Sequence, residues 1–283
     1  MNSRTASPIR TYVSALASWP RAFGYMRQSG LLRYHLAAPV VLAMLTWAGW
    51  GLTSGLTIFL QENLNRTLAS VGLNPDTVSD SPGAWWTDVV LWGATQLDWM
   101  IEWATVLLVL WIKLKLTKYL LLTLMAPFMS AVAAAVRQRE TGHALPFSLG
   151  QLLRDLMRGV RTASVLLAAE LALTLALALV GLWMTVFAAP LAVLLSPVLL
   201  LAGWTIGAYF YGAAVFDAVY EQSGLSWASS LRQGWADRGR LLGIGTVFSL
   251  LLATPYLGVV LAALMGPIPC TVAAARLTFT PSP

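Results

Sequence analysis

Charge is what this sequence has least of. Charged residues fill 11% of its 283 positions and hydrophobic ones 58%. Soluble domains carry about a quarter charged residues, so this chain lacks the polar surface to stay dissolved. Cysteine is scarcer still. Cys270 stands alone, which excludes an intrachain disulfide and a thiolate metal cluster. The two histidines, His35 and His143, lie far apart and have no ligand spacing, so no metal is expected. Nucleophile motifs and phosphate-cradling glycine loops are lacking too. These gaps speak against an enzyme and imply no cofactor. With no ATP site, any transport is passive or ion-coupled. The net charge of +6 does not point to nucleic acid, because the 18 basic residues sit between apolar runs, as the positive-inside rule expects.

What is present is membrane material. The 13 Trp suit the headgroup level of a bilayer. Residues 1–9 are polar. From Arg10 a helical stripe of Tyr12, Leu16, Trp19, Phe23 and Met26 recurs at steps of four and three, with Arg10, Ser14, Ser18 and Arg21 elsewhere around the helix. This predicts an amphipathic helix over 10–29 lying in the membrane surface, with Pro20 placed to kink it. Leu36–Leu60 has 25 residues without a charge, enough to cross a core of about 30 Å, and the first long helix is expected over 30–60. It is too long for a signal peptide, so the N-terminus is expected to be retained in the cytoplasm.

Residues 61–100 set Glu62, Asp76, Asp80, Asp88 and Asp98 against one base, Arg66, with Asn74-Pro75 and Ser81-Pro82-Gly83 among them. They read as an extracytoplasmic loop. The second long helix is expected over 101–140, its apolar body running from Trp103 to Val136. The 54-residue stretch Ala163–Phe216, broken by Pro190 and Pro197, fits two spans or a helical hairpin and gives a first hairpin over 163–220. Leu241–Ala275 has 35 residues with Arg240 before it and Arg276 after it. Two complete spans need about 40 residues, so the second hairpin, 241–276, should enter the membrane and turn back. The stretches read as cytoplasmic hold 14 basic residues and the outer loop one, so both termini are expected in the cytoplasm. A faint internal echo joins Glu140-Thr141-Gly142 to Glu221-Gln222-Ser223-Gly224, each before a basic helix and an apolar run. The fold class is an all-α polytopic membrane protein in one domain: an amphipathic N-terminal helix, two long transmembrane helices and two hairpins for which partial crossing is left open.

Three blocks resemble a known family. Leu124-Met125-Ala126-Pro127-Phe128, followed by Gly142, is similar to the Ala-Pro-Phe-Asn…Leu-Thr-Gly signature of CysZ-type sulfate permeases, part of the etoposide-induced 2.4-like membrane family. Tyr25–Pro39 is similar to the family's opening, and Tyr211–Ala275 to its closing half, an Asp on a helix, a Ser-Trp elbow, a basic stretch and an apolar run with two proline sites. The resemblance implies sulfate uptake across the bacterial inner membrane by a homo-oligomer embedded in lipid. It also implies an oxyanion site at the turn Gly30-Leu31-Leu32-Arg33. A helix start offers unpaired N–H groups and a positive dipole end, and a guanidinium adds charge-assisted bonds. Tyr34 stands where the family has a second Arg. A snorkelling role toward lipid phosphate is the rival reading of Arg27 and Arg33. Lys115 and Lys118, within 60° on the second long helix, are candidates for a pathway together with Arg27; snorkelling of the lysines is favoured. Glu170 and Asp217 in apolar helices read as structural ion pairs before proton carriers. The function expected is an anion transporter or channel, and the alternative is a non-transporting scaffold or assembly protein of the same fold.

Overall fold

A computed structural model describes residues 7–44, 46–47, 85–142 and 149–280, with residues 55, 58, 62, 63 and 66 in addition. Most of the expected first span beyond Trp47, the outer loop to Ala84, and His143 lie outside the described residues. Among those described there are helices and no strands: α1 (Pro8–Gln28), α2 (Leu32–His35), α3 (Trp85–Thr141), α4 (Leu149–Phe187), α5 (Ala189–Gln222), α6 (Trp227–Ala236), α7 (Arg238–Leu252), α8 (Gly258–Met265) and α9 (Pro267–Phe279). The chain divides into two units. One holds residues 44–118. The other joins 1–43 to 119–283 and carries the described packing that follows.

Among the described residues, three helices are long and apolar enough to cross a membrane: Leu110–Thr141 of α3, Leu153–Phe187 of α4 and all of α5. At the α-helical rise α4 spans about 58 Å and α5 about 51 Å, well beyond a hydrocarbon core of about 30 Å. The first hairpin is therefore made of two helices of spanning length, joined at Ala188, with Pro190 in the first turn of α5, where its missing N–H costs nothing. Trp183, Phe187, Leu194 and Leu200 along the hairpin are all more than 60% exposed. A contiguous apolar face of this extent is a lipid-facing one. This is a membrane protein.

The closing segment behaves differently. The 15 residues of α7 reach about 22 Å, short of a full crossing. The chain then reverses at Pro255-Tyr256, where Tyr256 takes φ 62°. α8 and α9 are bent by 43° at Gly266, a broken span or a re-entrant loop. The turn lets α7 pack against α5 at backbone distance: a side chain at Gly245 would overlap the Ala208 carbonyl, and one at Gly212 the Leu241 carbonyl. Tyr211 and Phe248 stack across the same crossing, centroids 3.5 Å apart and planes 6° from parallel.

α1 is continuous through Pro20, with Ser7 capping its start. Its apolar stripe does not wait for lipid. Ala15, Ala22 and Met26 are buried, and α1 packs on α7 and α9. The Tyr12 hydroxyl donates to Thr246 Oγ1 at 3.3 Å, and Trp19 Nε1 to the Met265 carbonyl at 3.2 Å. The second correction concerns α3. It begins at Trp85, inside the stretch that reads as an outer loop to residue 100. Carboxylates such as Asp88 and Asp98 mark where lipid ends, not where a helix must start.

Candidate anion site

Three helix ends meet at the turn that the sequence singles out. α1 stops at Gln28 because Gly30 takes φ 67°, a left-handed conformation that glycine adopts without a Cβ clash. The Leu31 N–H then reaches back to the Met26 carbonyl at 3.0 Å and the Ser29 N–H to Tyr25 at 2.9 Å, a Schellman-type closure. Leu31 is the buried anchor of that closure, 2% exposed, so its side chain and amide serve the fold. Leu32 and Arg33 face outward. Their amides open α2, which has no side-chain cap at its start. The Arg33 guanidinium lies 5.2 Å from the centre of the Tyr34 ring. Arg27 is exposed in the last turn of α1, where a cation suits the negative end of the helix dipole.

The neighbours of this turn were not evident in the sequence. Arg139, near the end of α3, donates through Nη2 to the Ser29 carbonyl at 2.6 Å. Arg276 on α9 sits over the Tyr25 ring, 4.6 Å from its centre, and its Nε is 3.9 Å from Glu140 Oε1. Thr280 Oγ1 donates to Glu140 Oε2 at 3.2 Å. Burial and the Glu140 carboxylate raise the pKa of the Tyr25 phenol, so it stays a neutral donor at physiological pH. No spacing in the sequence links residues 29, 139 and 276; only packing of the three ends on one another does.

A second polar cluster lies between α3, α4 and α5. Arg158 Nη2 and Nε meet the two Asp217 oxygens at 2.8 and 3.3 Å, and Arg158 Nη1 donates to the Leu225 carbonyl at 3.1 Å. Thr162 and Ser230 donate to the same carboxylate at 2.7 and 2.5 Å. Asp155 and Glu221 line the same cavity of about 30 Å³, room for about two waters. Asp217 is thus structurally paired. Glu170, fully buried, accepts a hydrogen bond from the Tyr119 hydroxyl at 2.5 Å. Three carboxylates face one guanidinium in the cavity, a balance that repels an anion. Between the two clusters, only the turn carries excess positive charge.

Lys115 and Lys118 belong to the unit of residues 44–118. Lys115 Nζ lies 5.7 Å from the Trp111 ring centre, and Lys118 is 5% exposed. A lysine that reaches out to a headgroup layer is not buried to that degree, so snorkelling does not describe Lys118.

The residues behind the resemblance hold the helices in place. Ala126, next to Pro127 inside α3, touches Gly159 of α4 where a larger residue would clash. Gly142 and Gly224 end α3 and α5 with φ 74° and 79°. A sequence model of the family described as Sulfate transporter CysZ/Etoposide-induced protein 2.4 matches residues 18–262. The chain belongs to that family. No curated protein matches the sequence significantly. The match of the sulfate transporter CysZ/etoposide-induced protein 2.4 family takes in the turn at Gly30, the whole of the carboxylate cluster and the first hairpin, and stops within α8, short of the end of the second. It is a family of transporter type, not of enzymes, and it accounts for the helical membrane architecture described above.

Proposed function

We propose that this protein is a bacterial inner-membrane transporter or channel for sulfate or a similar oxyanion, working passively or with a coupled ion and assembled as a homo-oligomer. The site is the turn Gly30-Leu31-Leu32-Arg33, where the Leu32 and Arg33 amides and the Arg33 guanidinium receive the anion. The observation that carries this reading is that Arg139 is bonded to Ser29, so a second guanidinium stands beside a turn that already presents Arg33. A tetrahedral oxyanion suits such convergent donors. Placing them at a helix end outside the spanning segments avoids burying a dianion alone in hydrocarbon. Arg27 gathers anions toward the turn. Lys115 and Lys118 are the residues proposed to line the later part of the path.

Radiolabelled sulfate uptake into proteoliposomes tests this directly. Arg33→Ala is expected to lower uptake about tenfold or more, the loss of one charge-assisted contact of roughly 1.5–3 kcal/mol. Tyr34 in place of the family's second arginine keeps one rival in view, a scaffold that moves nothing. Equal uptake by empty and protein-loaded vesicles decides for the scaffold.

A further inference from the structure

Glu140 is the one carboxylate among the side chains described beside the Gly30 turn, and it is loosely held. It sits between Arg276 and Thr280, with Arg139 its neighbour in the chain. The Arg158–Asp217 pair shows what a closed pair looks like in this molecule, with two contacts at 2.8 and 3.3 Å. Arg276 and Glu140 stop at 3.9 Å, outside hydrogen-bond reach. Two buried donor atoms in the same place, Arg276 Nε and the Tyr25 hydroxyl, have no hydrogen-bond partner. Both lie beside the Glu140 carboxylate, Arg276 Nε at 3.9 Å from its Oε1. Buried donors seldom stay unsatisfied, because the lost solvation is not recovered. Two guanidiniums, Arg139 and Arg276, against one carboxylate leave the cluster formally +1, so Glu140 does not neutralise it.

Resting on the oxyanion reading of the turn, we propose that Glu140 is a resident carboxylate that occupies the guanidinium of Arg276 until an incoming oxyanion displaces it. The dianion takes the Arg276 and Tyr25 donors, and Glu140 leaves both Arg276 and Thr280, which hold it in place at rest, and turns outward. Arg139 keeps its bond to Ser29 and holds the turn in register. An exchange of this kind favours a doubly charged ligand. A monoanion replaces the carboxylate charge for charge and gains little, whereas a dianion doubles the attraction at the same distance. Glu140 therefore lowers affinity and raises selectivity for dianions.

The test is equilibrium binding of radiolabelled sulfate to the full-length protein in detergent, in the wild type and in Glu140→Gln, Thr280→Val, Arg33→Ala and Glu62→Gln. Glu140→Gln keeps the shape and removes the charge. It is expected to tighten sulfate binding about two- to fivefold, the value of a partly exposed charge pair. Thr280→Val, which only loosens the carboxylate, should move affinity the same way by less. Glu62→Gln makes the same change in net charge and should leave binding unaltered. A merely structural Glu140 would give weaker binding on substitution. Unchanged or weaker binding in Glu140→Gln, or equal tightening in Glu62→Gln, overturns the inference while leaving the oxyanion reading intact, provided the wild type binds and Arg33→Ala weakens it. Should Glu140→Gln not fold, Thr280→Val decides by the same directions. A wild type that binds no sulfate removes the oxyanion reading and this inference together.

Discussion

Asp217 shows how far single residues can be read. An aspartate within the apolar stretch 163–216 and its edge announces a buried charge, and pairing is the economical answer to it. Its partner is Arg158, from a stretch that reads as cytoplasmic and basic. Nothing in the sequence separates Arg158 from Arg154 or Arg161; only the crossing of α4 and α5 selects it. Arg154 bonds its own helix, and Arg161 covers the Trp227 ring at 4.3 Å. Because Arg158 and Asp217 are 17% and 7% exposed, removing one partner strands the other away from water. Asp217→Ala is expected to cost about 3–5 kcal/mol. The double replacement Arg158→Met with Asp217→Leu should recover part of that loss, since neither member of the pair is left stranded, although Glu221 loses its 3.8 Å contact to the guanidinium. Thermal unfolding in detergent, read as a double-mutant cycle, checks this. Additive losses would show that the pair is not the unit of stability. The Gly30 turn was found through the resemblance to the family, and the left-handed glycine then gives the end of α1 its physical reason. Arg139, Glu140 and Arg276 were not legible, since long-range packing leaves no local mark.

Among elements, length and charge carried most of the information. The 35 apolar residues between Arg240 and Arg276 are few for two crossings, and the structure divides them into the short α7 and the bent α8–α9 pair, which is a broken span or a re-entrant loop. The start of α3 was hidden for a physical reason. Hydropathy reports where lipid would be comfortable, and a helix continues past that limit as long as its backbone bonds are kept. The amphipathic stripe of α1 was legible as a stripe, but its partner was not. Apolar faces look alike whether they meet lipid or protein, and here Trp19 and Tyr12 bond to the closing hairpin. The echo between the two elbows has a local basis in Gly142 and Gly224, both left-handed and each ending a long helix. The α5–α7 crossing has no such freedom. Gly245→Ala adds one methyl against the Ala208 carbonyl and should cost about 1–3 kcal/mol through overpacking. Gly24→Ala, which meets nothing within 4 Å, should be neutral or slightly stabilising, because Ala is the better helix former. Comparison of the two midpoints in one detergent isolates the crossing from any general effect of losing a glycine.

For the whole molecule, orientation decides whether the proposed site faces the cell interior. Arginines near the ends of α1 and α3 gather at the elbows, and two of those on α3 tie its end to the ends of α1 and α5. Arg139 bonds to Ser29 at the close of α1, and Arg137 to the Gln222 carbonyl at the close of α5. Cations at helix C-termini complement the helix dipole, which gives these elbows a reason to be basic beyond topology. The same basic residues are those the positive-inside rule counts, so the two demands fall on one set of side chains, and the rule predicts the elbows on the cytoplasmic side. Labelling by a membrane-impermeant maleimide in intact cells tests that placement. The native Cys270 is fully buried and should stay silent, so single cysteines can be introduced without replacing it. Asp80→Cys, in the acidic outer stretch, is expected to label from outside. Arg232→Cys, exposed on α6, should label only after the cells are opened. The reverse pattern would put the Gly30 turn and its arginines outside. An anion would then meet them on entry rather than on release, and Glu140 would compete at the opposite end of the path.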